Sequence, residues 1–341
     1  MLLNHIPLTA NDVRQCLRIA GGATTGFLLS KLFGLNYGVF FTVFPMLLLG
    51  LVPRVSAHVI RQMLLSSLVS GLEVGLLGGL FGDQPGIMTP LVFVLFLYRF
   101  AAMSRGSLFL FGASGVLNLS IMLHFSSYPQ VDLNTLIVTN FGATLLSVLL
   151  ALLMTVLWPD VTPRTPPKPG LKAPHRMRHE ALLGAGVATL SYLVFQVLDL
   201  SDSLSALATT VLLLFPMHWN GALGYARKRA MGTVLGVTLG LLVQFILYDW
   251  SGLLLLIVPL LWIGFMLCSL AHVKEASGSG VGFGAMTTLG ILFGQYLAPG
   301  KDFIFSAFYR VGSISVAIVA TLLACYLLHK LLNSFEATRF G

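Results

Sequence analysis

Two residues could carry chemistry inside otherwise apolar stretches. Glu73 is the acidic residue that interrupts such a stretch, and Arg310 is a cation within another. A charge at the centre of a bilayer costs about 2.5–3.5 kcal/mol on insertion scales, so an ionisable group there points to function first. At ~1.5 Å per helical residue, Glu73 counts to roughly 12 Å and Arg310 to roughly 10 Å below the outer surface. They are expected to pair, with an anionic solute or a proton competing for the pair and Glu73 taking the proton. The alternatives are a purely structural ion pair, or Arg310 snorkelling outward. Asn140 holds the place that Arg310 holds, because Phe141-Gly142 answers Val311-Gly312. Asn118, Gln244 and Gln295 are further amides in apolar surroundings. Such groups either line a pathway or hydrogen-bond helix to helix.

A second constellation is repeated. The stretch Ala208–Gly240 holds a short apolar run ending at Pro216, a basic turn, and a glycine-studded run opening at Arg229. An earlier, looser copy sets Thr42-Val43 against Thr210-Val211, Pro45 against Pro216 and Arg61 against Arg229. Proline removes a backbone donor, so both short segments should kink or break. Paired segments of this kind mark binding regions in transporters, although a membrane proline can also merely bend a helix. Pro90 and Pro259 form another such pair. Arg54, Arg61, Arg227, Lys228 and Arg229 read either as positive-inside anchors or as a basic vestibule that concentrates anions. His175 and His179 have i,i+4 spacing, but in a basic stretch that suits lipid headgroups better than a metal. The glycine-rich run Ser277–Gly284 opens a span and implies close packing or local flexibility.

The elements that must position these residues follow from composition. The chain is 56% hydrophobic and 9% charged, with mean hydropathy +0.89. A soluble domain carries about 25% charged residues. Apolar stretches long enough to cross a bilayer recur throughout, which gives an all-α membrane protein and not a β-barrel. About twelve transmembrane helices are expected: 13–32, 37–52, 58–80, 87–103, 106–124 and 134–158, then 180–199, 203–218, 227–248, 251–271, 278–296 and 303–328. They divide into a repeat at 1–158, a Pro/Lys/Arg-rich linker at 159–179, and a repeat at 180–341. With the N-terminus inside, every Lys and Arg except Lys31, Lys301 and Arg310 falls on the inner side. Asp83, Asp132, Asp199, Asp202, Asp249 and Asp302 fall in outer loops. This bias orients both termini to the cytoplasm. Six spans per repeat is even, so the repeats are parallel, related by a pseudo-twofold axis along the membrane normal.

No cleavable signal peptide is read at the start, where Thr9 and Asp12 form a helix-capping pair. The net charge of +8 is topological and does not indicate nucleic acid. Cys16, Cys268 and Cys325 sit in the inner halves of their spans and are expected as thiols. No phosphate-loop, dinucleotide or zinc-protease motif is present, so no cofactor or metal is expected and active transport would draw on an ion gradient. An enzyme is disfavoured, His218 and His272 at the cytoplasmic edge keeping that reading open.

The segment Arg-x-x-Gly-Thr-x-x-Gly at Arg229–Gly236, preceded by Thr-Thr-Val and a short proline-bearing span, resembles the fusaric acid resistance / aromatic acid exporter group of bacterial inner-membrane proteins. The chain looks like its compact members, without large cytoplasmic domains; in the first half Arg61 is kept but Gly-Thr is not. The resemblance implies proton-driven efflux of aromatic or other organic acids. It also implies work with a periplasmic adaptor (membrane fusion) protein and an outer-membrane channel. The pathway would be lined by Arg310, Asn140, Arg61, Arg229, Thr42, Thr210, Pro45, Pro216 and Asn118. A passive anion channel and a non-transporting subunit that scaffolds an adaptor are the alternatives.

Overall fold

The computed structural model describes residues 8–52, 54–82, 84–128, 131–164, 170, 172–200, 203–247, 250, 253–275, 280–296 and 303–340. Among them are α1 Ala10–Leu32, α2 Gly38–Leu51, α3 Ala57–Phe81, α4 Pro85–Ser104, α5 Phe109–Ser126 and α6 Leu133–Leu157. They are followed by α7 Pro174–Val197, α8 Leu204–Leu214, α9 Trp219–Leu247, α10 Leu254–Glu275, α11 Val281–Tyr296 and α12 Phe303–Asn333, with a 3-10 turn at Glu336–Thr338. Each expected span has its helix. Eight are long and apolar enough to cross a membrane; α2, α8 and α11 are apolar but shorter. Asp83, Asp202, Asp249, Lys301, Asp302, Ser277–Ser279 and 165–169 of the linker lie outside the described residues.

Local chemistry sets the ends of these helices. Asp12 N–H donates to Thr9 Oγ1 at 3.2 Å and Thr9 N–H to Asp12 Oδ2 at 2.9 Å, closing the capping box that opens α1. The two proline segments behave differently. α2 continues through Pro45. Because Pro45 has no N–H, the carbonyl of Phe41 is released from the helix ladder. Gly26 of α1 packs directly against that oxygen, where any Cβ would collide with it. α8 instead ends at Leu214, and Met217 turns the chain with φ 60° just after Pro216. At about 16 Å, α8 cannot cross a hydrocarbon core of about 30 Å by itself. α7 starts at Pro174, a first-turn proline, so the end of the expected linker is helical. α9 starts at Trp219 and not near 227, because Tyr225 and Ala226 are buried with Leu212, Leu213, Ile314 and Ile318.

The chain forms two compact units, and neither is a sequence half. The first comprises 1–56, 142–166 and 227–312; in it α1 packs on α2 and α10, and α11 packs on α2 and α10. The second comprises 57–141, 167–226 and 313–341; in it α4 packs on α7 and α5, and α5 packs on α3 and α8. Both units use a glycine of one helix against the backbone of its predecessor. Gly112 of α5 abuts Arg99 O and Met103 N of α4, and Gly282 of α11 abuts Cys268 O and His272 N of α10. A side chain at either glycine would meet backbone, which cannot yield.

Candidate functional site

The candidate site belongs to the second unit and begins with the two faces of α3. Leu65, Leu68, Leu72, Leu76 and Leu80 are exposed at intervals of three and four residues, the outward stripe of a helix in lipid. The opposite face is small and polar: Ser66, Ser67, Ser70 and Gly71 are buried. Small residues let neighbouring helices approach, and their hydroxyls supply the hydrogen bonds that lipid cannot. Glu73 flanks this face with its side chain 17% exposed.

Arg99 of α4 enters that face and is fully buried. Its Nη2 lies 2.6 Å from Glu73 Oε2 and 3.4 Å from Ser70 Oγ. The guanidinium carbon lies 4.6 Å from the centroid of the Phe111 ring, a cation–π contact. Gly115 of α5 makes the room, since a Cβ there would stand 2.9 Å from Arg99 Cδ and 3.0 Å from Nε. Nε and Nη1 of Arg99 are buried and have no hydrogen-bond partner among the described residues. A guanidinium offers five donors in a fork that suits carboxylates, so this one has capacity beyond Glu73.

The partner of Glu73 is therefore Arg99, not Arg310. Depth along single helices identifies residues at one level but not which helices adjoin, and Arg310 falls in the other unit. Arg310 does not snorkel. It is 2% exposed, on the buried stripe Phe303–Ala307–Arg310–Ile314 of α12. Arg99 is missed in the sequence because the orientation count places it with the inner-side cations. Its signal is its position inside the 87–103 apolar run, five residues before Ser104.

Next to the pair is an amide cluster. Ser67 Oγ donates to Asn140 Oδ1 at 3.0 Å, and Asn140 Nδ2 approaches Asn118 Oδ1 at 3.4 Å. Both asparagines are buried. They join α3, α5 and the start of α6 within the second unit. Thr210 is buried on α8 and shares a hydrogen bond of 3.0 Å with Thr321 of α12. Pro216 is half-buried, and Arg61 is exposed with its Nε on Ala57 O at 3.3 Å.

The remaining predicted residues lie in the first unit. Thr42 is fully buried, its hydroxyl 3.3 Å from Gly38 O, and Pro45 is buried one turn on. Arg229 is fully buried, unlike Arg61, and does not form an exposed vestibule. Its Nη1 donates to Gly284 O at 3.1 Å and to Thr287 Oγ1 at 2.7 Å, both on α11. Gly232 and Gly236 each place a would-be Cβ 2.5 Å from a carbonyl of α11, Val281 O and Ala285 O. Thr233 Oγ1 returns a hydrogen bond to Arg229 O. The Arg229–Gly236 motif is thus a seam between α9 and α11, closed by a buried arginine. His179 is likewise no headgroup contact: it is fully buried, whereas His175 is exposed.

Residues 15–154 match a family described as a protein of unknown function (DUF2955), and residues 190–324 match the family described as fusaric acid resistance protein-like. No match is found among curated proteins or solved structures. The second match contains the whole Arg229–Gly236 motif and all of α8–α11. Through this region the chain is similar to the fusaric acid resistance protein-like family, and its apolar helices are those of a multi-pass membrane protein.

Proposed function

We propose that the protein is an efflux transporter of the bacterial inner membrane that exports aromatic or other organic acids. In this reading export is coupled to protons, involves no enzymatic step, and delivers cargo to a periplasmic adaptor protein and an outer-membrane channel. The observation that carries it is the Glu73–Arg99 pair. Glu73 can accept a proton, whereas Arg99 keeps its charge. A proton on Glu73 removes the counter-ion of Arg99, and an organic carboxylate then takes its place on the guanidinium. Loss of that proton restores the pair and expels the anion. Proton and cargo thus bind opposite members of one ion pair, each freeing the site of the other.

Other observations support parts of the reading. The matched family is described as fusaric acid resistance protein-like, a name that points to an organic acid. The Gly112 and Gly282 contacts use equivalent atoms, which favours two parallel six-helix repeats at 1–158 and 180–341 joined by 159–179. The Lys/Arg distribution favours cytoplasmic termini. Of the residues assigned to the pathway, Arg310, Asn140, Asn118, Arg229, Thr42 and Thr210 are polar and buried.

The test is uptake of radiolabelled benzoate into inverted vesicles, with and without a proton gradient. Gradient-driven uptake by the natural chain, lost in Glu73→Gln, is expected. Uptake that ignores the gradient would make the protein a passive anion channel. Gradient-driven uptake that persists in Glu73→Gln would remove the coupling role from this pair.

A further inference from the structure

At the end of the second unit where α7 and α9 begin and α12 ends lies a pocket of about 350 Å³, lined by His218, Trp219, Asn220, His329, Asn333, Arg339 and Phe340. One wall is the segment after α12, and a directed hydrogen-bond chain holds it. Thr338 O can only accept, so His179 donates to it from Nδ1 at 2.7 Å. Neutral His179 then accepts at Nε2 from His329 Nδ1, 2.9 Å away. His329 Nε2 accepts in turn from Asn333 Nδ2 at 3.0 Å, and Asn333 Oδ1 accepts from Phe340 N–H at 2.9 Å. Phe340 is packed between the Arg176 guanidinium, 4.6 Å away, and the rings of His179, His218 and His329. The opposite wall is the start of α9, where Gly221 N–H donates to His218 Nδ1 at 3.0 Å. That bond fixes the neutral tautomer, leaving the proton on His218 Nε2 as a donor.

Among the described residues that line the pocket the charge balance is one-sided. Arg339 lines the pocket, and among the described residues it has no carboxylate partner. Glu180, whose charge acts on His218, is buried and already holds Lys172 at 2.6 Å and Arg176 at 3.2 Å. The first-turn amides of the 29-residue α9 add positive potential at the same end. Trp219 and Phe340 add two aromatic surfaces, and the volume suits a ligand of about one ring.

We propose that this pocket binds a small planar organic anion, one ring bearing one carboxylate, with Arg339 and His218 on the carboxylate and Trp219 and Phe340 on the ring. The class follows from the walls. It coincides with the proposed cargo, so the description of this pocket as a receiving site for cargo rests on the transport reading, while the binding itself does not.

The experiment titrates benzoate against the full chain in nanodiscs. It follows the emission of a variant that keeps Trp219 and replaces Trp158, Trp250 and Trp262 by Phe, with calorimetry on the unmodified chain beside it. Benzyl alcohol supplies the ring without the charge, and inorganic phosphate the charge without the ring. Saturable quenching by benzoate alone is expected, weakened about tenfold in Arg339→Gln and in Phe340→Ala. Equal response to benzyl alcohol or phosphate would overturn the proposal, as would benzoate affinity indifferent to Arg339→Gln. If the triple variant does not fold, calorimetry with Arg339→Gln decides by the same criterion. Gradient-driven uptake without benzoate binding here defeats this inference alone. Binding here with uptake that ignores the gradient defeats the transport reading alone.

Discussion

Arg99 and Arg229 are both arginines with no exposure to solvent, each closing a helix–helix contact in its own unit. They differ in what receives their hydrogen bonds. Arg99 meets a carboxylate that is still 17% exposed. Arg229 meets a backbone carbonyl and a threonine hydroxyl on α11, with two glycines holding that helix close. A carboxylate can change charge and a carbonyl cannot. In the proposed transport reading one arginine sits in a switch and the other in a clamp, and the sequence motif marks only the clamp.

The sharpest way to break this contrast is to remove each partner. Arg99→Gln leaves Glu73 partly buried without a counter-ion, and breaking a buried pair from one side costs about 3–5 kcal/mol. It should abolish benzoate uptake and lower the unfolding midpoint in detergent. Glu73→Gln should keep the fold but lose the dependence of uptake on the proton gradient. Thr287→Val, which removes a neutral acceptor from Arg229, should cost about 1–3 kcal/mol of stability and leave gradient dependence intact. If Thr287→Val changed the coupling and Glu73→Gln did not, the two roles would be exchanged.

The glycines sharpen the same contrast with a smaller effect. At Gly232 a methyl group would stand 2.5 Å from Val281 O and 2.9 Å from Ala285 N. Gly232→Ala should therefore force α9 and α11 apart, at about 1–3 kcal/mol, seen as a lower thermal midpoint. At Gly115 the obstacle is the Arg99 side chain and Ser66 Oγ, which can shift by rotating. Gly115→Ala should cost less stability yet lower the uptake rate, because it displaces the guanidinium from Glu73. Equal thermal shifts in the two variants would show that Arg99 sits as rigidly as the α9–α11 seam.

The helices were legible because lipid allows few alternatives: an apolar run of the right length must satisfy its own backbone. α3 and α4 lie within a few residues of the spans expected for them. The pairing was not legible. Counting depth put Glu73 level with Arg310, but the unit that contains Glu73 draws α4 and α5 to α3 and leaves Arg310 with the other unit. Composition also concealed the start of α9. Trp219–Ala226 carries polar residues and glycines, and only its packing with α8 and α12 reveals why it is helical. Arg99 was hidden by its kind, since a cation near a span end reads as an anchor. The serines on α3 offered a better signal: a span with leucine on one face and serine on the other must meet something polar in the bundle.

Amide contacts should have a still smaller effect. Asn140→Ala removes the bonds to Ser67 and Asn118, and interhelical hydrogen bonds in membranes average about 0.6 kcal/mol. A modest fall in thermal midpoint with unchanged gradient dependence is expected, since none of these groups titrates. A change in coupling would instead extend the switch from Glu73–Arg99 into the amides.

The smallest effect concerns His218, outside both arginine seats. Burial holds its pKa below the ordinary 6.5, helped by the charge of Arg176 and opposed by Glu180. Its Nδ1 accepts from Gly221 N–H only while the ring is neutral. Between the lowered folded value and 6.5 the unfolded chain binds the extra proton, so stability rises with pH through that window. It is fully present above about 6.5 and is lost as pH falls through the folded value. His218→Asn keeps an acceptor at the start of α9 but does not titrate. Thermal midpoints measured from about pH 7.5 to 5 should fall less steeply in that variant, whereas Glu73→Gln should not alter the slope contributed by His218. If His218→Asn leaves the acid-side slope unchanged, the proton that destabilises this end of the unit is bound elsewhere, and the His179–His329 pair becomes the group to replace next.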